Sequence, residues 1–270
     1  MRDVARTYPQ LMNQAIACGM DAGSLRRLKA AHVLAANMTF GLHRAQGVPF
    51  LCHLTGTASI ALAENAPLDV VLAAQLHAAY ILYAFDGSDR RVRPSQRSLI
   101  AREVGERAER LVWDYAHLPW ESVSALDAHH AQLATVPPAT RQLLLLRLVN
   151  ELDDHLGLAA AYANPAHARE RAAELGGRVV ELARRLEHPR LAADLEEAYA
   201  AEAEASLPEI VIVDRSLFSA GRRHWSRKGV TERWTMAGVR WIYRRGDVAR
   251  LSRWVERLRR TRRVALPTPR

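Results

Sequence analysis

Apolar side chains recur at helical spacing through the first 205 residues of the chain. The segments with 3.6-residue apolar spacing, or with dense Ala and Leu, are 25–41, 57–64, 68–83, 96–113, 139–156, 165–186 and 189–205. Prolines and glycines separate these segments, as expected for the ends of helices. The pattern therefore predicts an all-α body over residues 1–205.

The pattern changes after Pro208, where residues 210–213 form the one strand-like run of the chain. Residues 215–270 follow with sixteen Arg and one Lys against three acidic residues, a net charge of 17 − 3 = +14, which leaves 9 − 14 = −5 for the preceding residues. Four of the six tryptophans also lie in this tail. We expect a basic, Trp-rich extension, residues 206–270, that docks on the acidic helical body through its tryptophans. Nucleic-acid binding by the tail is a weaker expectation, because no motif supports it.

Length and composition narrow the class of protein. A chain of 270 residues that is about half apolar can bury a sizeable core. The longest apolar segment, 68–83, is interrupted by Gln75 and His77, so no membrane span is predicted. The first residues lack the apolar core of a signal peptide, and Cys18 and Cys52 form no disulfide framework. We expect a cytoplasmic protein.

A spaced set of residues then points to a site. Arg44, Gly47, Pro49 and His53 are followed 24 residues later by His77. This spacing resembles the hydrolase domain of the RelA/SpoT alarmone enzymes, a helical fold of the HD superfamily. The segment 100–112 is also similar to the helix that follows the His-Asp pair in that family. The resemblance covers roughly residues 30–160 and implies an HD-domain-like helical bundle.

The chain departs from the family at the acidic positions of the metal site. Ala78 stands where the resemblance implies the Asp of the His-Asp pair, and Asn150 stands where it implies the last Asp. Two imidazoles and an amide supply no negative charge for a hard divalent cation. We therefore expect no metal and no cofactor. The alternative is that Asp114, Asp153 or Asp154 rebuilds a metal site from another direction.

The remaining polar residues of the matched region are candidates for acid/base chemistry or ligand binding. An imidazole titrates near neutrality, so His53 and His77 could act as acid and base without a metal. Asn150 and Asp154 lie four residues apart on one helical face and could share a pocket wall. The predicted catalytic residues are His53, His77, Asp114 and Asn150, and the predicted ligand-binding residues are Arg44, Tyr80, Tyr115 and Asp154.

Each assignment has a structural alternative. The two histidines could be relics that pack in a helical core, and Asp114 could be an exposed residue at a helix end. Glu151 and Asp153 are expected to be solvated.

Three functions follow from these residues. The first is a metal-independent enzyme that eliminates or displaces a phosphate or sulfate group from an anionic small molecule, with Arg44 holding the anion, in a biosynthetic pathway. The second is a non-catalytic HD-like module that binds a nucleotide-like or phosphorylated ligand or a partner protein. The third, with less support, is a metal-dependent phosphohydrolase with substituted ligands.

Overall fold

The computed structural model describes residues 3–84 and 92–213, and these residues form an all-α fold. Within them there is no β-strand, and an isolated bridge pairs His43 with Pro49. No helix in this part of the chain is long and apolar enough to cross a membrane. In chain order the helices are α1 (Tyr8–Ala17), α2 (Ala22–Met38), α3 (Phe50–Ala63), α4 (Leu68–Leu76), α5 (Ala79–Ala84), α6 (Pro94–Val104), α7 (Glu106–Tyr115), α8 (Val123–Gln132), α9 (Pro138–His155), α10 (Ala159–Ala163), α11 (Pro165–Arg171), α12 (Gly177–Arg185) and α13 (Pro189–Glu204).

The predicted strand-like run is wrong. Glu209–Val211 forms a short 3-10 turn, and Ile210 is 92% exposed. Val213 donates its backbone N–H to the Tyr162 carbonyl at 2.9 Å, which links this segment to α10. β-Branched residues favour a strand only where a neighbouring strand can pair with them, and the described residues supply none. The prediction that the basic extension docks on the body concerns residues 214–270, which lie outside those described.

Three predicted helices have different bounds in the structure. The helix predicted at 57–64 begins seven residues earlier, at Phe50, so it contains His53. The segment predicted as one helix over 68–83 is divided after Leu76 into α4 and α5. The segment 96–113 is divided at Gly105, whose φ of +90° is a left-handed value that glycine adopts at little cost. Apolar periodicity continues across both interruptions, so it could not reveal them.

α3 and α4 form the centre of the bundle. Every residue of α3 from His53 to Leu62 is buried, and so is every residue of α4 from Val70 to Leu76. α3 packs against α1, α4 and α9, while α4 also packs against α2 and α7. Burial on all sides explains why neither helix has a distinct polar face. The buried His53, Thr55, Thr57 and Ser59 of α3 all have hydrogen-bond partners inside the protein.

A buried polar cluster around Glu151 of α9 joins this helix to α11 and α13. Its carboxylate is 1% exposed and accepts hydrogen bonds from Trp120 Nε1 at 3.0 Å and from Tyr199 Oη at 2.8 Å. Arg171 Nη2 donates to the same carboxylate at 2.7 Å, and His155 Nε2 lies 3.2 Å from it. The expectation that Glu151 is solvated is wrong, since α9 is covered on this face by α13 and α11.

His155 connects Glu151 to a second buried carboxylate. Its Nδ1 lies 2.5 Å from Glu202 Oε2, and Glu202 is fully buried in α13. Burial alone would lower the pKa of His155, but the hydrogen bonds and charges of Glu151 and Glu202 outweigh it and raise that pKa to about 9. The protonated His155 imidazole thus contributes a positive charge that lies between the buried carboxylates of Glu151 on α9 and Glu202 on α13.

We expect the free energy of unfolding to fall as pH rises from 6.5 to 9. The folded protein binds the His155 proton more tightly than the unfolded chain, whose histidine has the ordinary pKa of 6.5. The stabilisation is therefore fully present below pH 6.5 and is lost through about pH 9, with a size on the order of 3 kcal/mol. Urea unfolding at pH 6, 7, 8 and 9 measures this loss.

A variant pair isolates the contribution of this histidine. His155→Gln should be less stable at pH 6 and should show a much flatter pH dependence between 6.5 and 9. His167→Gln is the control, because the His167 side chain is 67% exposed. Equal slopes for wild type and His155→Gln would contradict the assignment.

Candidate functional site

The loop before α3 positions Arg44 beside the first turns of that helix. Arg44 N–H donates to the Val48 carbonyl and Gly47 N–H donates to the Arg44 carbonyl, both at 2.9 Å. Gly47 has a φ of +82° within this turn, and Pro49 is the N-cap of α3. The residues of the sequence motif therefore build a tight turn that delivers Arg44 and His53 to the same place.

His53 and His77 meet in the interior of the bundle. Their Nε2 atoms lie 3.2 Å apart, and both residues are 2% exposed. His53 Nδ1 is 2.7 Å from Asp153 Oδ2, and His77 Nδ1 is 2.8 Å from the Ala74 carbonyl oxygen. A carboxylate and a carbonyl can only accept, so both imidazoles carry a proton on Nδ1. The two Nε2 atoms that face each other are then the acceptor nitrogens.

The environment keeps His77 in its neutral form. Burial is the largest cause that lowers its pKa well below 6.5, and the positive charge of Arg44 lowers it further. His77 caps the end of α4, so the break between α4 and α5 sets the direction of its ring. A neutral imidazole with a fixed tautomer is able to accept a hydrogen bond at Nε2.

Arg44 and Asp154 form the outer edge of this site. Arg44 Nη1 lies 2.7 Å from His53 Nε2, and Arg44 Nη2 lies 2.6 Å from Asp154 Oδ1. Burial alone would raise the pKa of Asp154, but the positive charge of Arg44 outweighs it and holds this pKa below its ordinary range. The side chains of Arg44 and Asp154 are 23% and 21% exposed, whereas both histidines are sealed. Arg44 and Asp154 are therefore more exposed than the two histidines that they adjoin.

Asn150 joins the site through the same carboxylate. Its Nδ2 donates to Asp154 Oδ2 at 3.0 Å, one helical turn away, as the sequence spacing predicts. The amide is 2% exposed, and its Oδ1 is buried with no hydrogen-bond partner among the described residues. This acceptor is available to a donor group of a ligand.

Of the three remaining predicted residues, Tyr115 adjoins the cluster, whereas Tyr80 and Asp114 have partners elsewhere. The Tyr115 ring lies 4.9 Å from the His77 ring, and Arg147 Nη1 donates to the Tyr115 hydroxyl at 2.6 Å; burial raises the pKa of this phenol to about 12. Tyr80 donates instead to Glu109 at 2.5 Å, and Asp114 pairs with Arg110 at 2.9 Å on the surface of α7. The structure thus gathers Arg44, His53, His77, Tyr115, Asn150 and Asp154 into one cluster and gives Tyr80 and Asp114 other partners.

Sequence reasoning placed one residue of this cluster in the wrong environment and missed another. Asp153 was expected to be solvated, yet it is 5% exposed and binds both His53 Nδ1 and Arg6 Nη1, the latter at 2.5 Å. Asp153 was expected in solvent because only one face of α9 was assumed to be buried. In the structure, several faces of this helix are buried. The two consecutive aspartates, Asp153 and Asp154, were a sequence signal that could have indicated a polar site on α9. No local signal marks Arg6, which lies 147 residues from its partner.

The divalent metal implied by the resemblance does not fit the residues present. The Asp154 carboxylate is already paired with Arg44 at 2.6 Å. The other terminal nitrogen of the Arg44 guanidinium lies at hydrogen-bond distance from His53 Nε2. A second cation at this point would be repelled by the first. Across residues 3–84 and 92–213, no group of three or more His, Cys, Asp or Glu side chains is arranged to hold a metal ion.

Comparison with known proteins gives a partial match. Residues 34–119 match the model of a family described as "Domain of unknown function (DUF6817)". The match spans the turn with Arg44, both site histidines and Tyr115, and it ends before α9 with its acidic residues. A search of curated proteins found no match.

Gly56 makes room for the ion pair that supports His53. It lies one turn after His53 on α3, and a Cβ atom there would come within 3.0 Å of Asp153 Oδ1 and of Arg6 Nη1. The absence of a side chain at this position lets the Asp153 carboxylate sit against the helix and reach His53. Gly56 is thus a packing requirement of the site.

We expect Gly56→Ala to lower the free energy of unfolding by about 1–3 kcal/mol, because the added methyl group overlaps the Arg6–Asp153 pair. Urea denaturation at pH 7 measures the change. Gly177→Ala is the matched control, since a Cβ at this helical glycine has nothing within 4 Å. The control should be neutral or more stable by about 0.5–1 kcal/mol. Equal stabilities of the two variants would refute the packing role.

Proposed function

We propose that this HD-like bundle is a metal-independent enzyme that performs acid/base chemistry on an anionic small molecule, in a biosynthetic pathway. The reaction class is elimination, or intramolecular displacement, of a phosphate or sulfate group. The observation that carries the proposal is the pair of acceptor nitrogens, His53 Nε2 and His77 Nε2, held 3.2 Å apart beside the guanidinium of Arg44. A base and an anion-binding group are thereby adjacent.

His53 is assigned as the base. Asp153 accepts its Nδ1 proton at 2.7 Å, which fixes the tautomer and stabilises the imidazolium that forms when Nε2 takes a proton. His77 lies within hydrogen-bond reach of that new N–H, and its low pKa keeps it available as an acceptor. The abstracted proton is therefore held between two buried imidazoles instead of being returned to solvent.

Arg44 is assigned to the leaving group. A guanidinium presents parallel N–H donors that match two oxygens of a phosphate or sulfate. The electron pair freed by proton abstraction forms the new bond, and the bond to phosphate or sulfate breaks with its electrons on the departing oxygen. In the structure Arg44 contacts Asp154 and His53, so an anion must draw the guanidinium away from both before His53 Nε2 can act.

A second function is favoured by the burial of the site. Both imidazoles are 2% exposed, and among the described residues the partly exposed edge of the site is occupied by the Arg44–Asp154 pair. A site that stays closed would suit a non-catalytic module, which binds a phosphorylated ligand or a partner protein at this edge. The metal-dependent hydrolase has less support, because its ligand set lacks a free carboxylate.

The enzyme proposal is tested by release of phosphate or sulfate from a panel of phosphate and sulfate esters, with EDTA present throughout. We expect His53→Gln to reduce turnover by about 10²–10⁴-fold, the usual contribution of a general base. Arg44→Gln should mainly raise KM. His167→Gln, whose side chain is 67% exposed and makes no contact with the site residues named above, is the matched control and should retain full turnover.

The other functions predict different results. Turnover that EDTA abolishes and Mn²⁺ restores would replace the proposal with a metal-dependent hydrolase. Binding of a phosphate ester that is lost in Arg44→Gln, without any turnover in wild type, would favour the non-catalytic module.

A further inference from the structure

The polar atoms that face one another in the site are mostly hydrogen-bond acceptors. The Nε2 atoms of His53 and His77 lie 3.2 Å apart, and both are acceptors. Asn150 Oδ1 is a buried acceptor with no hydrogen-bond partner among the described residues. The Asp154 carboxylate accepts from Asn150 Nδ2 at 3.0 Å and carries a negative charge. A ligand that enters such a site has to bring donors.

The proposed function makes this demand for donors larger. The terminal nitrogens of Arg44 lie 2.7 Å from His53 Nε2 and 2.6 Å from Asp154 Oδ1, and they leave both atoms when the guanidinium turns to a ligand anion. Asp154 then keeps the hydrogen bond from Asn150 but loses the cation that it contacts. Because this carboxylate is only 21% exposed, loss of its counter-charge is costly unless another positive charge replaces it.

An ammonium group supplies what the guanidinium leaves behind. It carries one positive charge and three N–H donors, whereas a hydroxyl group supplies one donor and no charge. The acceptors belong to different elements, since His53 lies on α3 while Asn150 and Asp154 lie on α9. A single ligand group that serves all three must therefore present several donors.

The Asp154 carboxylate also limits how far the anion and the cation of the ligand can lie from each other. Its Oδ1 atom is 2.6 Å from Arg44 Nη2, and its Oδ2 atom is 3.0 Å from Asn150 Nδ2. The group that holds the anion and the group with the unpartnered acceptor are thus separated by one carboxylate. A short linker between the two charges of the ligand fits this arrangement.

We propose that the site binds a zwitterionic small molecule, in which a short linker joins an ammonium group to the phosphate or sulfate that Arg44 holds. Asp154 pairs with the ammonium charge, while Asn150 Oδ1 and His53 Nε2 accept its N–H groups. This assignment names the substrate class of the proposed function, and it rests on that function for the anion at Arg44.

The test is calorimetric titration of the full-length protein at pH 7 with four phosphate monoesters: ethyl phosphate, hydroxyethyl phosphate, phosphoethanolamine and phosphocholine. Phosphoethanolamine should bind at least about tenfold more tightly than ethyl phosphate, because hydrogen bonds to charged groups are the strong ones. Hydroxyethyl phosphate lacks the charge, and phosphocholine keeps the charge but has no N–H donor, so both should bind about as weakly as ethyl phosphate. Ethyl sulfate and aminoethyl sulfate are compared in the same way.

Protein variants assign the preference to a residue. Asp154→Asn should reduce the preference for phosphoethanolamine to about twofold or less, while ethyl phosphate binds equally well or more tightly because Arg44 is released from its ion pair. A purely structural role of Asp154 would weaken both ligands together. Asp127→Asn is the matched control, since this aspartate is 55% exposed and pairs with Arg178 at 2.8 Å, and it should keep the full preference.

The ligand series in wild type decides the question even where a variant does not fold. Equal affinities for ethyl phosphate and phosphoethanolamine, both lost in Arg44→Gln, would overturn this inference and leave the anion site of the proposed function intact. Equally tight binding of hydroxyethyl phosphate or phosphocholine would also overturn it. Failure of every phosphate and sulfate to bind wild type would overturn the anion site, and this inference with it.

Discussion

The need to compensate buried charge along the last two turns of α9 governs the rest of the structure. Residues 150–155 read Asn-Glu-Leu-Asp-Asp-His, and all but Asp154 are almost completely buried. A buried ionised group is tolerated only when it is paired and hydrogen-bonded. The acidic residues and His155 of this segment accordingly have partners on other elements, whereas Asn150 binds Asp154 on the same helix.

The partners of α9 divide into two clusters. In the first cluster, Asp153 and Asp154 bind Arg6, Arg44 and His53, which come from the N-terminal segment, the loop before α3 and α3 itself. In the second cluster, Glu151 and His155 bind residues of α11 and α13. Arg147 connects the two clusters, because it donates to Tyr115 beside His77 and lies 3.4 Å from Glu151. Packing of the bundle and construction of the site therefore depend on the same helix.

This arrangement gives the site an unusual chemical character. Its histidines are neutral or paired, its carboxylates are committed to arginines, and its open edge is an ion pair that an anion can compete for. This distribution of charge is the basis of the proposed acid/base chemistry on an anionic molecule, in which a base and an anion-binding group must be adjacent.

The sequence by itself determined the all-α class, the approximate positions of seven helical segments and the spacing of Arg44, His53, His77, Asn150 and Asp154. These features are local, since they depend on helical periodicity, on turn residues and on a motif. The helix interruptions at His77 and Gly105 and the absence of a strand at 210–213 were decided by tertiary packing. Periodicity does not report a change of direction, and β-branched residues need a partner to form a sheet.

The same limit applies to the site. Sequence spacing placed Asn150 and Asp154 on one face of α9, but it could not show that α9 is enclosed, so Glu151 and Asp153 were expected in solvent. Which carboxylate binds His53, and that Arg6 supports it, depend on contacts between residues 100 and 147 positions apart. Only the tertiary structure brings such residues together, because the pairing of buried charges is set by the packing of whole helices and leaves no local signal in the chain.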